Sequence, residues 1–169
     1  NQFSKWIEKG ACIQNVSNTQ LNRWSGKTRN WTTGSAKSTL TSKWGKSVIT
    51  GLARLDGVPV ALFAEDPMIY GGAWTTDSCR KLIRLCDLAS TFHLPIVHLV
   101  DCPGFLIGKQ SEENATIRFG SQALAALGQA SVPFCSVVIR KAFGVAGAAN
   151  TKPGSHHFRF SWPSGDSGS

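Results

Sequence analysis

Two stretches of this chain share one design, in which an apolar, β-branched run ends in a glycine-rich turn and then feeds a helix-compatible segment. Residues 95–101 (PIVHLVD) lead into 102–108 (CPGFLIG), and residues 133–141 (PFCSVVIRK) lead into 142–150 (AFGVAGAAN). A glycine turn at the start of a helix leaves backbone N–H groups without intrahelical partners, and such donors can hold an oxygen as it gains negative charge. The chemistry this suggests is done by the main chain. Side chains offer less: there is no Cys-x-x-Cys pair, no metal-ligand spacing and no nucleophile with a base beside it, so no metal site is expected. His93 and His98 flank an apolar run and read as packing or surface residues, and His156 and His157 read as a solvated pair in a polar loop.

Elements that would position these turns are readable around them. Residues 47–55 (SVITGLARL) and 58–65 (VPVALFAE) are alternating, β-branched runs joined by Asp56-Gly57, a two-residue hairpin signal. The loop DPMIYGGAW, with Gly71 and Gly72, leads to a helix expected over 76–92, capped by Thr75, Thr76 or Asp77. Leu82, Ile83, Leu85, Cys86, Leu88, Ala89 and Phe92 would form its buried side. PIVHLVD reads as a strand buried on both faces, residues 111–130 as one second helix, and residues 132–140 as a third strand. After the alanine-favoured short helix in 142–150, HFRFSW is a strand candidate, whereas PSGDSGS is turn-like and closes no element. The order β-β-α-β-α-β-α predicts an α/β fold with crossover helices around a largely parallel sheet.

Composition fits one domain with a real core: 41% of the residues are hydrophobic and 17% charged. No run of 18 apolar residues occurs, and the start NQFSKWIEKG has no apolar signal region. A chain that opens on Asn1 is expected to be a piece of a longer protein. Cys12, Cys79, Cys86, Cys102 and Cys135 are odd in number and irregularly spaced, which points to reduced, mostly buried thiols in a reducing compartment. The net charge of +8 is local, because residues 1–47 hold eight Lys or Arg against Glu8 alone while residues 48–169 hold ten against nine acids. Residues 1–43 are therefore read as a basic leader with scattered Trp6, Trp24 and Trp31, poorly ordered or unrelated to the domain at 44–169. Basic residues interleaved with aromatics can bind nucleic acid, but a solvated leader explains the composition with less, and neither a nucleic-acid nor a membrane partner is expected.

The ordered set of motifs resembles one family. WGKSVITGLARLDGVPVALFAEDP, YGGAWTTDSCRKLIRLCDLASTFHLPIVHLVDCPGFLIG, VPFCSVVIRKAFGVAGAAN and WPSGD, spread over residues 44–167, are similar to the C-terminal, biotin-side half of the carboxyltransferase (β) subunit of biotin-dependent acyl-CoA carboxylases. The propionyl-CoA carboxylase β-chain group is the nearest kind. The resemblance implies a crotonase-like ββα superhelix, incomplete here, with acyl-CoA as substrate and carboxybiotin, carried on a separate carrier domain, as cofactor. It implies as partners the acyl-CoA-binding N-terminal half of the carboxyltransferase, the biotin carboxylase and biotin carrier subunit, and further copies in a homo-oligomer. A lone chain would be inactive, and bacterial cytoplasm or mitochondrial matrix would suit it.

The same resemblance assigns the site. In the family the biotin oxygen is held by backbone amides of a loop Arg-Lys-Ala-aromatic-Gly-Gly-Ala, matched here by Arg140 to Ala146, so the amides of Val145 and Ala146 would form the oxyanion hole. Gly144 and Gly147 would allow the close approach that a β-carbon blocks. Val145 replaces the family's second glycine and Gly147 its aromatic, a departure that bears on biotin orientation and acyl-chain preference. Pro103, Gly104 and Phe105 match the Asp-x-Pro-Gly-Phe loop that lines the biotin pocket, with Phe105 as an apolar wall, and Gly71 and Gly72 match the loop that shapes the same pocket. Asp101, at a strand end, could act as a base, but the family's proposed proton acceptor is biotin itself, so it is expected to cap loop amides. Ser167 stands where many relatives have Trp. Two other readings stay open: a stand-alone crotonase-like acyl-CoA hydratase or decarboxylase, which needs an acid beside the hole, and a truncated gene product without activity.

Overall fold

The computed structural model describes residues 38–40, 43–55, 57–148 and 156–168. Most of the leader, with Trp6, Trp24, Trp31 and Cys12, lies outside these residues, as do Asp56 and the loop 149–155. The element order is β1 (Ser38–Leu40), β2 (Val48–Leu55), β3 (Val58–Glu65), a 3-10 turn (Tyr70–Gly72), α1 (Thr76–Thr91), β4 (Ile96–Cys102), α2 (Lys109–Glu113), α3 (Thr116–Gln129), β5 (Phe134–Phe143), α4 (Gly144–Ala148), β6 (His157–Ser161) and β7 (Asp166–Gly168).

These strands form one sheet in the order β1-β2-β3-β4-β5-β6, with β7 also paired to β5. The hairpin forms with Leu55 opposite Val58 and Val48 opposite Glu65. From β3 onward every pair is parallel, as helical crossovers require. β1, on the leader side of residue 43, pairs antiparallel with β2. All seven residues of β4 are buried, in keeping with a run that carries no polar alternation.

Apolar surface is buried on both faces. One face of the sheet packs Phe63, Ile96, Val100, Phe134 and Val138 against Leu82, Leu85 and Cys86 of α1 and Ala123 and Leu127 of α3. The other gathers Val60, Leu62, Ala64, Val97, Leu99, Cys135 and Val137, with Phe160 and Trp162 packed against them. Helix α1 opens with a capping box, in which Thr75 Oγ1 accepts from the Ser78 amide and Ser78 Oγ accepts from the Thr75 amide. Cys79, Cys86, Cys102 and Cys135 are buried. Among the described residues no helix is long and apolar enough to cross a membrane.

Three local expectations are corrected. The single helix expected over 111–130 is two, because Ala115 takes a left-handed conformation (φ 54°) between them. Phe92 is not on the buried side of α1 but 67% exposed, since the chain has left the helix there. The C-terminal stretch does close an element: β7 pairs Asp166, Ser167 and Gly168 with Lys141, Ala142 and Phe143.

Candidate functional site

The three glycine loops meet at the carboxyl ends of β3, β4 and β5, the edge where parallel sheets bind ligands. A β-carbon on Gly71 would lie 3.9 Å from Pro103 Cγ, and one on Gly104 would lie 3.8 Å from the Phe143 carbonyl oxygen. The loop after β3 thus abuts the loop after β4, which abuts the turn after β5. Gly72 admits no side chain at all: its φ is +86° and a β-carbon would stand 2.4 Å from the Asp101 carbonyl oxygen.

The turn after β4 is closed by its own neighbours. Trp74 donates its amide to the Gly104 oxygen at 3.0 Å and accepts from the Leu106 amide at 2.9 Å. The Phe105 ring stands edge-on to Trp74, with centroids 5.8 Å apart, and lies over Gly120 of α3, where a β-carbon would come within 2.6 Å of it. Phe105 therefore faces the helix layer, whereas Pro103 in the same loop is exposed. A cleft of about 740 Å³ borders the loops after β3 and β4, with Trp44, Tyr70, Thr75, Leu106, Ile107 and Lys109 among its walls. Neither Val145 nor Ala146 lines it.

The turn after β5 has a different build. Gly144 turns the chain left-handed (φ +61°) with open space where a β-carbon would be, and α4 begins at once. Val145 and Ala146 occupy the first turn of α4, where no carbonyl four residues back is available to their amides. Val145 is 60% exposed, whereas Ala146 is fully buried. Gly147 answers to the chain itself, since a β-carbon there would lie 2.4 Å from the Ala142 carbonyl carbon.

Beneath the loops runs a buried polar network that sequence reasoning missed. Glu65, at the end of β3 and 1% exposed, accepts from Trp74 Nε1 at 3.0 Å and lies 2.7 Å from His98 Nε2 through Oε1, and it accepts the Asp101 amide at 3.1 Å through Oε2. His98 Nδ1 is buried without a partner. Asp101 does not cap loop amides; its carboxylate takes Arg140 Nε on both oxygens and Nη2 on Oδ2, each at 3.1 Å. A guanidinium fork matches a carboxylate better than scattered amides do. The missed signal was strand periodicity, which puts Glu65 and Phe63 on one side of β3.

Other polar residues serve the frame. Lys81 Nζ donates to the Val48 oxygen at 2.7 Å, and burial pushes its pKa down from 10.5 to about 8. His157 pairs with Ser136 Oγ at 3.2 Å, whereas His156 and His93 are exposed. Burial, and after it the Glu65 carboxylate, pushes the Cys102 thiol up.

The Carboxyl transferase domain model matches residues 33–168. Over 123 residues the chain is 38% identical to the propionyl-CoA carboxylase beta chain of Cereibacter sphaeroides, covering 71% of this chain and 24% of that protein. It is 38% identical to the biotin-dependent long chain acyl-coenzyme A carboxylase beta4 subunit of Mycobacterium tuberculosis, covering 70% and 23%. Among solved structures it superimposes on transcarboxylase 12S, a hexamer with methylmalonyl-coenzyme A and methylmalonic acid bound, with a TM-score of 0.74 and 31% identity over 79% of this chain and 26% of that one. The chain spans about a quarter of the length of these relatives, and its fold is the crotonase-like fold of carboxyltransferase β subunits.

Proposed function

Because this chain belongs to the carboxyl transferase domain family, we propose that it serves as the biotin side of an acyl-CoA carboxylase carboxyltransferase, with acyl-CoA held by a separate half. The observation that carries the reading is the turn Gly144–Gly147 at the carboxyl end of β5, where first-turn amides stand outside the ladder beside Gly104 and Phe143. Carboxybiotin, when bound, would supply the carboxyl group, and its ureido oxygen would take up negative charge as that group leaves. The residues present fit that group, because an oxyanion needs donors already aimed before charge develops, and the Val145 amide lies in the first turn of α4 on a residue that is itself exposed. The Val145 amide would make first contact, with the enclosed Ala146 amide completing the hole from behind.

Gly144 supplies the left-handed entry that lets the next amides converge, and Pro103 and Gly104 border the same edge. Phe105 contributes by holding the β4 loop against α3 rather than by walling a pocket. The N-terminal carboxyltransferase half, a biotin carboxylase with its carrier domain, and further copies of the chain are the partners this role requires, and the chain alone would not turn over. The hydratase or decarboxylase reading needs an acid free to move a proton beside the turn, and Asp101 is committed to Arg140.

Titrating the 15N-labelled chain with free biotin tests the reading. Shifts should concentrate at Val145, Ala146 and Gly104; shifts confined to other loops, or none at millimolar biotin, would overturn it. Adding the acyl-CoA-binding half of a relative should then support carboxyl transfer from methylmalonyl-CoA to biotin, with none from either piece alone.

A further inference from the structure

The β4–β5 ladder breaks where the site begins. Val100 is opposite Val138 and Cys102 is opposite Ala142, so Ile139, Arg140 and Lys141 share the span of Asp101 alone. Such bulges bend a strand and re-aim the residues beyond them. Beyond this bulge, after Ala142 and Phe143, come Gly144–Gly147.

The bulge is pinned from both sides. On its outer side the WPSGD turn holds the strand at and just before the bulge: Val138 O accepts the Trp162 amide at 2.8 Å and Ile139 O accepts Ser164 Oγ at 3.0 Å. Beyond it, β7 pairs with Lys141–Phe143. On its inner side the side chain of Asp101 reaches across and receives Arg140 in a two-pronged grip.

Asp101 is itself enclosed. Its amide is held by Glu65, its carbonyl oxygen abuts Gly72, and its carboxylate is only 4% exposed. Glu65 is anchored in turn by Trp74 and His98. A continuous chain of contacts therefore runs from the core through Asp101 and Arg140 toward the turn. An ion pair whose Arg140 side chain is 52% exposed adds little to global stability, so its place at the bulge is better explained by geometry than by stabilisation.

We propose that Asp101, acting through Arg140, is the positioning residue that sets the β5 bulge and thereby aims the Val145 and Ala146 amides. The inference deepens the reading of the turn as the biotin-oxygen site and names the device that pre-aligns it. Asp101 moves no proton in this role, because Arg140 engages both carboxylate oxygens.

Backbone 15N relaxation on the full 169-residue chain, as wild type, Asp101→Asn and Arg140→Gln, separates positioning from mere structure. Order parameters at Val145 and Ala146 should fall from about 0.85 toward 0.6 in both variants while Leu82 and Leu85 in α1 stay rigid. Affinity for free biotin should drop at least about tenfold, and Arg140→Lys, which keeps the charge but loses the fork, should lie between. Unchanged motion at Val145 and Ala146, or loosening spread equally through α1, would overturn the proposal. If Asp101→Asn does not fold, Arg140→Gln decides alone, since that head group is half in solvent. A wild-type chain that ignores biotin defeats the functional reading, whereas the relaxation data still judge this one.

Discussion

The turns after β4 and β5 share one sequence design, a β-branched run ending in a glycine turn, and are opposites in structure. The first is bonded on both sides to Trp74, its phenylalanine is packed over Gly120, and its strand-end acid is buried. The second is held by β7 as far as Phe143, and past Gly144 it presents an exposed Val145. One design thus yields a foundation and a presenting surface. The difference comes from what lies under each: α3 covers the β4 turn, while the short α4 tops the β5 turn.

Removing the foundation should cost most. Glu65→Ala leaves Trp74 Nε1, His98 Nε2 and the Asp101 amide without their shared acceptor, and breaking such a buried network costs about 3–5 kcal/mol. Urea unfolding should show that loss, and the contrast between the turns weakens if the midpoint barely moves. Phe105→Ala comes next, at about 3 kcal/mol, because the ring between Trp74 and Gly120 leaves a void that the helix layer cannot refill. The same variant should leave biotin affinity nearly intact if Phe105 is foundation, and abolish it if Phe105 is a pocket wall.

Alkali probes the same asymmetry, since Cys102 sits in the β4 turn and residues 142–148 hold no titratable side chain. Burial raises Cys79 from 9.0 to about 12 and Cys135 to about 11, and raises Cys102 as well. Above pH 9 the unfolded thiols ionise while the folded ones stay neutral, so the unfolded state holds fewer protons and stability falls. Lys81 opposes this, because its lowered folded value near 8 makes the folded state lose its proton first, and stability from that group rises with pH. Three thiols outweigh one amine, giving a net loss of about 2 kcal/mol between pH 9 and 10. Thermal melts at those two values check it, and Lys81→Met should steepen the fall.

Strands β2 to β6, the hairpin at Gly57 and helix α1 were legible, the central strands as apolar, β-branched runs and α1 by its period of 3.6, whereas β1 and β7 were not. Glycine positions were legible too, but not their reasons: Gly72 and Gly147 make room for Asp101 and Ala142 backbone, contacts between segments that no local pattern announces. Ala115 misled because alanine favours helix, and only the tertiary frame turns it left-handed. Lys81 lies on the Ser78, Leu82, Leu85 stripe of α1, yet its charge hid its burial. The Asp101–Arg140 grip escaped because 39 residues separate its partners.

The smallest change in stability should come from the substitution that bears most directly on function. Val145→Pro deletes one amide in the first turn of α4, where proline suits helical geometry and no intrahelical bond is lost, so the cost should stay below about 1 kcal/mol. If that amide holds the developing oxyanion, carboxyl transfer by the completed enzyme should nonetheless fall about 10²–10³-fold, the usual effect of losing one such donor. Leu106→Pro makes the reverse case in the β4 turn. It removes the amide bonded to the Trp74 oxygen at 2.9 Å, which should cost about 1–3 kcal/mol with little change in the chemistry per folded molecule. Equal losses of stability and of transfer in the two variants would mean that the turns do not divide foundation from presentation, whereas opposite losses place the donor at Val145.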